Sequence, residues 1–368
     1  MSGDSVRRAS ADSSTDAGAV EPRLVDPASR DAEAVEAASV ESRPGDVGTV
    51  DGDVPVPAVS VVIPTHDGRE RVPQVLEALL PEAGGVPFEV VVVDNASGDG
   101  TGAAVDASAE AAALRGRGVA VRVVHEPVAG LTHARARGVA EARGAAVCFL
   151  DDDNLPQPGY LACGVAALAD PAVGLLTSRV FPRYREEPSP AIERREHLLA
   201  INHRLGDEVL DWGAAPTVAP TIGAGLWVRR SAFTAAQGAA AGQVLSDRMP
   251  GSLSSGGDVE LGVAVGRAGF KRVYVPCLRL WHLIPPERVR TRYFCRLIYG
   301  IVRSKLAVEA LYEGRGGGAR DRAAALGRLL GATAALPALL VRRDGPREAL
   351  FVLVSRWAEL RGPLRERL

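Results

Sequence analysis

The sequence predicts an α/β fold built on a mainly parallel sheet, and three observations carry that prediction. Four apolar runs between residues 58 and 150 alternate with helix-like segments, as parallel sheets with right-handed crossovers require. The runs are almost continuously apolar, so both faces of the sheet are covered. Two of them end in clusters of polar residues, and strand ends are where open α/β sheets put their ligands.

Val59–Ile63 (VSVVI) is the first expected strand, followed by a polar loop over Pro64–Arg69. Arg71–Leu80 reads as a helix, since Val72, Val75, Leu76, Leu79 and Leu80 share one face. Phe88–Val93 (FEVVVV) is the second strand, closed by Asp94-Asn95-Ala96-Ser97-Gly98. Gly102–Leu114 reads as one Ala-rich helix, Val119–His125 as a strand, Leu131–Ala142 as a helix and Ala146–Leu150 as the fourth strand. Beyond Asp153 the pattern loosens. A helix starts at Pro156, strands are expected at Val173–Val180, Gly223–Val228 and Arg272–Val275, and Val259–Ala268 is helical.

The chain has 368 residues, enough for a sizeable core. Residues 1–55 hold 12 acidic and 5 basic residues, a net of −7, and no aromatic residue. Such a composition cannot repay the cost of ordering, so a disordered tail is expected there. Residues 56–285 form the catalytic unit in this reading. Residues 286–368 hold 17 basic and 8 acidic residues, a net of +9, and read as a basic helical region. There Arg288, Arg290, Arg292, Arg296 and Arg303 alternate with Phe294, Leu297, Ile298, Ile301 and Val302. Such a helix either lies on an anionic membrane surface or packs on the catalytic unit with its arginines solvated. No ordered aromatic platform accompanies the basic segment, which argues against nucleic acid as a partner.

No stretch reaches the ~20 apolar residues of a spanning helix, and no apolar signal-peptide core opens the chain. Cys148, Cys163, Cys277 and Cys295 form no CxxC pair, so neither zinc nor a redox dithiol is indicated. A reducing cytoplasm is the expected location, with peripheral contact on the inner membrane face if the basic helix binds lipid.

Asp151, Asp152 and Asp153 follow the fourth strand directly. Three like charges in one turn repel unless a cation or strong donors intervene. A divalent metal carrying a phosphate is the simplest resolution, and a solvated acidic turn is the plain alternative.

Six stretches then stand in a telling order. They are PTHDGR (Pro64–Arg69), VVVDNASGDGT (Val91–Thr101), GLTHARARG (Gly130–Gly138), FLDDDNLPQPGYL (Phe149–Leu161), GGDVELGVAVGRAGF (Gly256–Phe270) and WH (Trp281–His282). Together they resemble glycosyltransferase family 2 over roughly Val59–Leu283. The resemblance implies a GT-A type fold, here with a C-terminal helical extension. It also implies inverting transfer of a sugar from a nucleoside-diphosphate sugar to an acceptor hydroxyl, an activity of the EC 2.4 class.

The same resemblance implies the site. Asp94 would accept hydrogen bonds from the nucleobase or ribose, with Pro64, Thr65, Asp67 and Asn95 at the same sheet edge. Capping of the next turn is the other use of an Asp-Asn-Ala-Ser-Gly segment. Arg135 would lie near the diphosphate, or else on a solvated helix face. Asp151 and Asp152 would lie near ribose and metal. Asp151, Asp153 and His282 would be ligands of Mn²⁺ or Mg²⁺. Asp258 matches the base that takes the acceptor's proton, but the usual Glu-Asp pair is Gly257-Asp258 here, which leaves Glu260 as a rival. Both acids could instead serve only the helix N-terminus. The Gly/Ser-rich stretch Gly251–Gly257 could serve as a mobile loop over the donor. Trp227 and Trp281 are candidates for sugar stacking or for core packing. The acceptor stays open among glycan, lipid-linked sugar, peptide and small molecule. Two other functions share these acids. Nucleotidyl transfer would need a Gly/Lys-rich phosphate loop that PTHDGR does not supply, and a non-catalytic nucleotide-sugar-binding protein would not need Asp258.

Overall fold

The computed structural model describes residues 23–24, 56–215, 221–239, 256–313, 318–341 and 344–363. Its centre is a ten-stranded mixed sheet. The strands are β1 (Arg23–Leu24), β2 (Val59–Thr65), β3 (Phe88–Asn95), β4 (Ala120–Glu126), β5 (Ala146–Phe149), β6 (Asn154–Pro156), β7 (Val173–Tyr184), β8 (Leu210–Asp211), β9 (Leu226–Arg229) and β10 (Lys271–Ile284). Their order is β1-β8-β10-β7-β9-β5-β2-β3-β4, with β6 paired to β10.

The expected parallel block is β5-β2-β3-β4. Crossovers α1 (Val72–Leu79), the pair α2 (Thr101–Asp106) and α3 (Ala109–Gly116), and α4 (Leu131–Glu141) join its strands. Side chains alternate into two cores. Val61, Ile63, Val90, Val92 and Cys148 enter one. Val62, Val91, Val93, Val147 and Phe149 enter the other. Both faces are covered, which is why the strands read as unbroken apolar runs. Cys148 is core, and burial pushes its thiol up, so it is no nucleophile.

The second half departs from the mainly parallel expectation. Strand β9 runs antiparallel between β5 and β7, while β10 is parallel to β7. A register shift between Val275 and Arg279 lets β10 continue to Ile284, well past the expected Val275. The Ala-rich segment is two helices because the Ser108 side chain accepts a hydrogen bond from the Ala111 amide at 3.2 Å. A local cap competes well with a continuous helix in such a segment.

Three further helices lie around the second half: α5 (Tyr160–Ala167), α6 (Pro190–Glu193) and α7 (Arg230–Ala239). Helix α8 (Gly257–Arg267) precedes β10. Close approaches fall at glycines. A Cβ on Gly138 of α4 would sit 2.2 Å from Val62, and one on Gly164 of α5 would sit 2.4 Å from the Trp227 ring. Trp227 is fully buried by that contact, so it is core and no sugar platform. Trp281 is partly exposed and packs on Phe181.

Helices α9 (Thr291–Glu313), α10 (Ala319–Ala334), α11 (Leu336–Leu340) and α12 (Gly345–Arg361) follow. The apolar face of α9 is packed rather than open. Phe294, Leu297 and Ile298 are buried with Ile192 of α6, Ile284 of β10 and Phe351 of α12. Of the two readings of the basic helix, docking on the sheet unit is the one seen. No helix among the described residues is long and apolar enough to cross a membrane.

Two expectations change. Arg23–Leu24, inside the supposed tail, pair with Asp211 and Leu210; the rest of residues 1–55 lies outside the described residues. Cys163 and Cys277, which show no pairing motif and are expected in a reducing cytoplasm, form a disulfide between α5 and the irregular part of β10. Their separation of 114 residues gave no motif to read. A cross-link closing so long a loop contributes about 2–4 kcal/mol. Cys163→Ser should therefore lower the melting temperature, and reductant should lower that of the parent but not of the variant. Equal melting of both proteins, with and without reductant, would show that the link is not formed.

Candidate active site

The parallel block changes direction at β2. The chain runs from β2 out to β3 and β4, then returns to β5 on the other side of β2. Crevices open beyond the carboxyl ends of strands at such a switch point. Thr65 ends β2 there, and the three aspartates follow β5. A cavity of about 610 Å³ lies at this place. Its walls include Thr65, Arg71, Asn95, Asp151, Asp152, Asp153, Arg185 and Arg288.

The repulsion among the three aspartates is resolved by giving each its own arginine. Asp151 Oδ1 lies 3.6 Å from Arg135 Nη2 of α4. Asp152 Oδ2 accepts hydrogen bonds from Arg71 Nη2 at 2.8 Å and from the Thr65 hydroxyl at 2.5 Å. Asp153 Oδ2 lies 3.1 Å from Arg288 Nη1. The carboxylates therefore diverge toward three different elements. Burial still outweighs the Arg71 bond at Asp152 and holds that carboxyl above its ordinary value. Gly68 makes room for this arrangement, since a Cβ there would meet Thr65 Oγ1 at 1.8 Å and Asp152 Oδ2 at 2.9 Å.

Asp153 and His282 come together through strand pairing. β6 pairs antiparallel with β10 so that Asn154 opposes His282. The Leu283 amide donates to the Asp153 carbonyl at 2.9 Å. Asp153 Oδ2 and His282 Nε2 are 3.4 Å apart, and the two residues are 7% and 3% exposed. A buried carboxylate oxygen and imidazole nitrogen that converge suit Mn²⁺ or Mg²⁺, the imidazole favouring manganese. Of the three expected ligands, Asp153 and His282 lie together here, while Asp151 Oδ1 faces Arg135. Among the described residues no group of three His, Cys, Asp or Glu side chains closes around one point. The pair Asp153–His282 would need oxygens from the ligand to complete a shell.

Arg135 is buried and, like Asp258, stands behind the cavity rather than among its walls. Its ring-side neighbour is Phe149, and its Nη2 donates to the Gly223 carbonyl at 3.4 Å. A Cβ on Gly223 would meet Arg135 Nη2 at 2.9 Å and Asp258 Oδ2 at 3.1 Å. Both groups thus crowd the same glycine. Asp258 sits in the first turn of α8, and its Oδ1 accepts from the Val259 amide at 2.9 Å. Gly223→Ala should push these two side chains apart while leaving the core intact. Turnover should fall by about 10–10²-fold, since small displacements of reacting groups are costly. A melting-temperature loss with unchanged turnover would mean that Gly223 serves packing alone.

Glu260 turns the other way. It is 1% exposed and accepts a hydrogen bond from the Tyr312 hydroxyl of α9 at 3.1 Å. Burial and the Glu260 carboxylate together push the Tyr312 phenol up. Glu260 thereby ties α8 to the C-terminal helices and is not a wall of the cavity.

The residues after β2 and β3 mostly hold the loops. Asp94 accepts from the Ser97 amide at 3.3 Å and the Gly102 amide at 3.2 Å, which is the capping use of its segment. Asp67 accepts from the Gly98 amide at 2.8 Å. Neither Asp94 nor Asp67 is among the cavity walls. Asn95 is buried; its Oδ1 accepts from the Gly130 amide at 2.8 Å and its Nδ2 donates to the Val128 carbonyl at 2.6 Å. Those bonds fix the entry to α4 and so the position of Arg135. Pro64 and Thr65 line the cavity. The stretch 251–255 of the expected mobile loop lies outside the described residues.

The sequence carries no signal for Arg71, Arg288, Gly223 or Tyr312 at the site: Arg71 stands at a helix start and Arg288 among many basic residues. Nothing in their spacing points at Asp152 or Asp153.

Comparison with known proteins bears on family and fold. Residues 60–233 match the family described as Glycosyl transferase family 2. The chain is 33% identical over 133 residues to the uncharacterized protein MT1568 of Mycobacterium tuberculosis, covering 36% of this chain and 39% of that one. It is 27% identical over 224 residues to the glycosyltransferase AglE of Haloferax volcanii, covering 60% of this chain and 64% of that one. The matches span less than two thirds of either relative's length. A solved structure, the mannosyltransferase PcManGT from Pyrobaculum calidifontis in complex with GDP-Man and Mn²⁺, aligns with a TM-score of 0.52 at 19% identity. That alignment covers 90% of this chain and 93% of the other, and the likeness is one of fold.

Proposed function

Starting from a chain that carries a glycosyltransferase family 2 domain, we propose that this enzyme is an inverting transferase. It uses a nucleoside-diphosphate sugar, a divalent metal and an acceptor hydroxyl. The observation that carries this reading is the convergence at one cavity of three aspartates, each met by an arginine from a different element. Carboxylates and guanidiniums interleaved at a switch-point crevice suit a ligand that brings both phosphate and metal.

Each side chain then has a role. Thr65, Asp152 and Arg71 form the floor for the nucleoside end. Asp94 acts from behind, by shaping the loop that follows β3. Arg135 meets the diphosphate and holds Asp151 in place. Asp153 and His282 would hold Mn²⁺ or Mg²⁺, which would supply positive charge beside the departing nucleoside diphosphate. Asp258, beside Arg135, accepts the proton of the acceptor hydroxyl as that oxygen attacks the anomeric carbon. Direct displacement inverts the centre and needs no covalent enzyme intermediate. Residues 56–285 supply these groups, and the region after them braces them through Arg288 of the turn Pro286–Val289 and Tyr312 of α9.

Incubation with labelled UDP-, GDP- and dTDP-sugars, with Mn²⁺ or with EDTA, tests the reading. Metal-dependent transfer to an acceptor, or slow donor hydrolysis, is expected. Release of pyrophosphate would instead mark nucleotidyl transfer, and binding without turnover would mark a non-catalytic nucleotide-sugar-binding protein.

A further inference from the structure

Arg288 Nη1 lies 3.1 Å from Asp153 Oδ2 and also 3.1 Å from His282 Nε2. One nitrogen therefore receives the two lone pairs that a metal ion would use. For His282 to accept at Nε2, its ring proton must be on Nδ1, an atom that is buried with no hydrogen-bond partner. A metal bound to these atoms, at about 2.0–2.1 Å in the case of Mg²⁺, would leave no room for the guanidinium and would repel its charge.

We propose that Arg288 is a resident counter-cation of the metal site: it neutralises Asp153 while no metal is bound and is displaced when metal enters. The inference rests on the reading of Asp153 and His282 as metal ligands. Arg288 is suited to leave. It stands on the short turn Pro286–Val289 between β10 and α9, and its side chain is 21% exposed. It also lines the cavity that would hold the donor, where Arg185 is a second wall. Once displaced, its guanidinium stays positive and remains tethered beside that cavity, where the donor's diphosphate is the anion it would meet. Metal entry and the turning of Arg288 toward the diphosphate thus become one event. The enzyme keeps its buried acid compensated between turnovers, and metal binds weakly until a diphosphate gives Arg288 somewhere to go.

The test is Mn²⁺ binding to the full chain, followed by calorimetry or by the electron paramagnetic resonance signal of free Mn²⁺, with and without a nucleoside diphosphate. Arg288→Gln removes the competing charge and keeps most of the bulk. Without nucleotide it should bind Mn²⁺ about 5–150-fold more tightly than the parent, the usual span of a coupling between sites. With Mn²⁺ saturating, its affinity for UDP or GDP should fall by a factor in the same range. Arg288→Lys keeps the charge and should resemble the parent in nucleotide-free Mn²⁺ binding. Melting curves of each variant confirm that the protein compared is folded. Mn²⁺ binding by the parent that Arg288→Gln leaves unchanged or weakens overturns the counter-cation role alone. Failure of parent and variant to bind Mn²⁺, with or without nucleotide, overturns it together with the metal reading.

Discussion

Asp258→Asn should bind its donor as the parent does and transfer sugar about 10²–10⁴-fold more slowly, the usual cost of losing a general base. The asparagine keeps the size of the side chain and an oxygen that can accept from the Val259 amide, so the first turn of α8 stays in place. It loses only the charge and the proton-accepting capacity beside Arg135. Nucleotide affinity, read by calorimetry, should change little, because Asp258 meets the site through Gly223 and Arg135 and not through Asp152 or Asp153. Glu260→Gln is the control. A glutamine carbonyl can still accept from the Tyr312 hydroxyl, so that change should act on stability more than on turnover. If Glu260→Gln is the more damaging to transfer, the base is not Asp258. If neither change slows transfer, both acids serve the helix start alone.

The second large effect is expected at Asp153. Asp153→Ala should bring metal-dependent transfer below roughly 1% of the parent, since removing one group that stabilises transition-state charge costs about 10²–10³-fold. The sequence alone suggests that this variant gains stability, because one of three crowded charges disappears. The structure changes that expectation. Asp153 faces Arg288 and His282, and its Oδ1 accepts from Asn154 Nδ2 at 3.0 Å. Repulsion is already relieved, and alanine would leave a partly buried guanidinium without its carboxylate. The melting temperature should therefore stay level or fall slightly. Turnover across a Mn²⁺ titration of parent and variant checks the first point. Parent activity that persists in excess EDTA would remove the metal from the mechanism.

Much of this protein is local and so was readable in its residues. The strands β2, β3, β4 and β5 announce themselves because a sheet covered on both faces needs side chains that are apolar at every step. Thr65 and the three aspartates are readable as strand-end residues, whereas the order β5-β2-β3-β4 that makes a switch point there is a property of the sheet. The ordered motifs carried the family. Asp258 is a candidate base only through the resemblance of its motif, since opening a helix by itself would give it a structural role.

Tertiary structure decided which side chains meet. Asp153 reaches His282 only because β6 pairs with β10, and β10 is extended past an irregular register that no periodicity announces. Arg71, Arg135 and Arg288 each find a different aspartate from across the fold, over sequence separations that leave no pattern in the chain. Tyr312 claims Glu260 because α9 packs its apolar face inward, where the sequence left a membrane surface equally open. Cys163 and Cys277 join because α5 packs on β10. Periodicity and capping are properties of neighbours along the chain, whereas charge compensation at about 3 Å depends on neighbours in space. The parallel strands and the acids at their ends are legible in the residues, because each is a local pattern. The pairing of β6 with β10 and the turn after β10 bring His282 and Arg288 to Asp153, while α4 and the start of α1 bring Arg135 and Arg71 to Asp151 and Asp152.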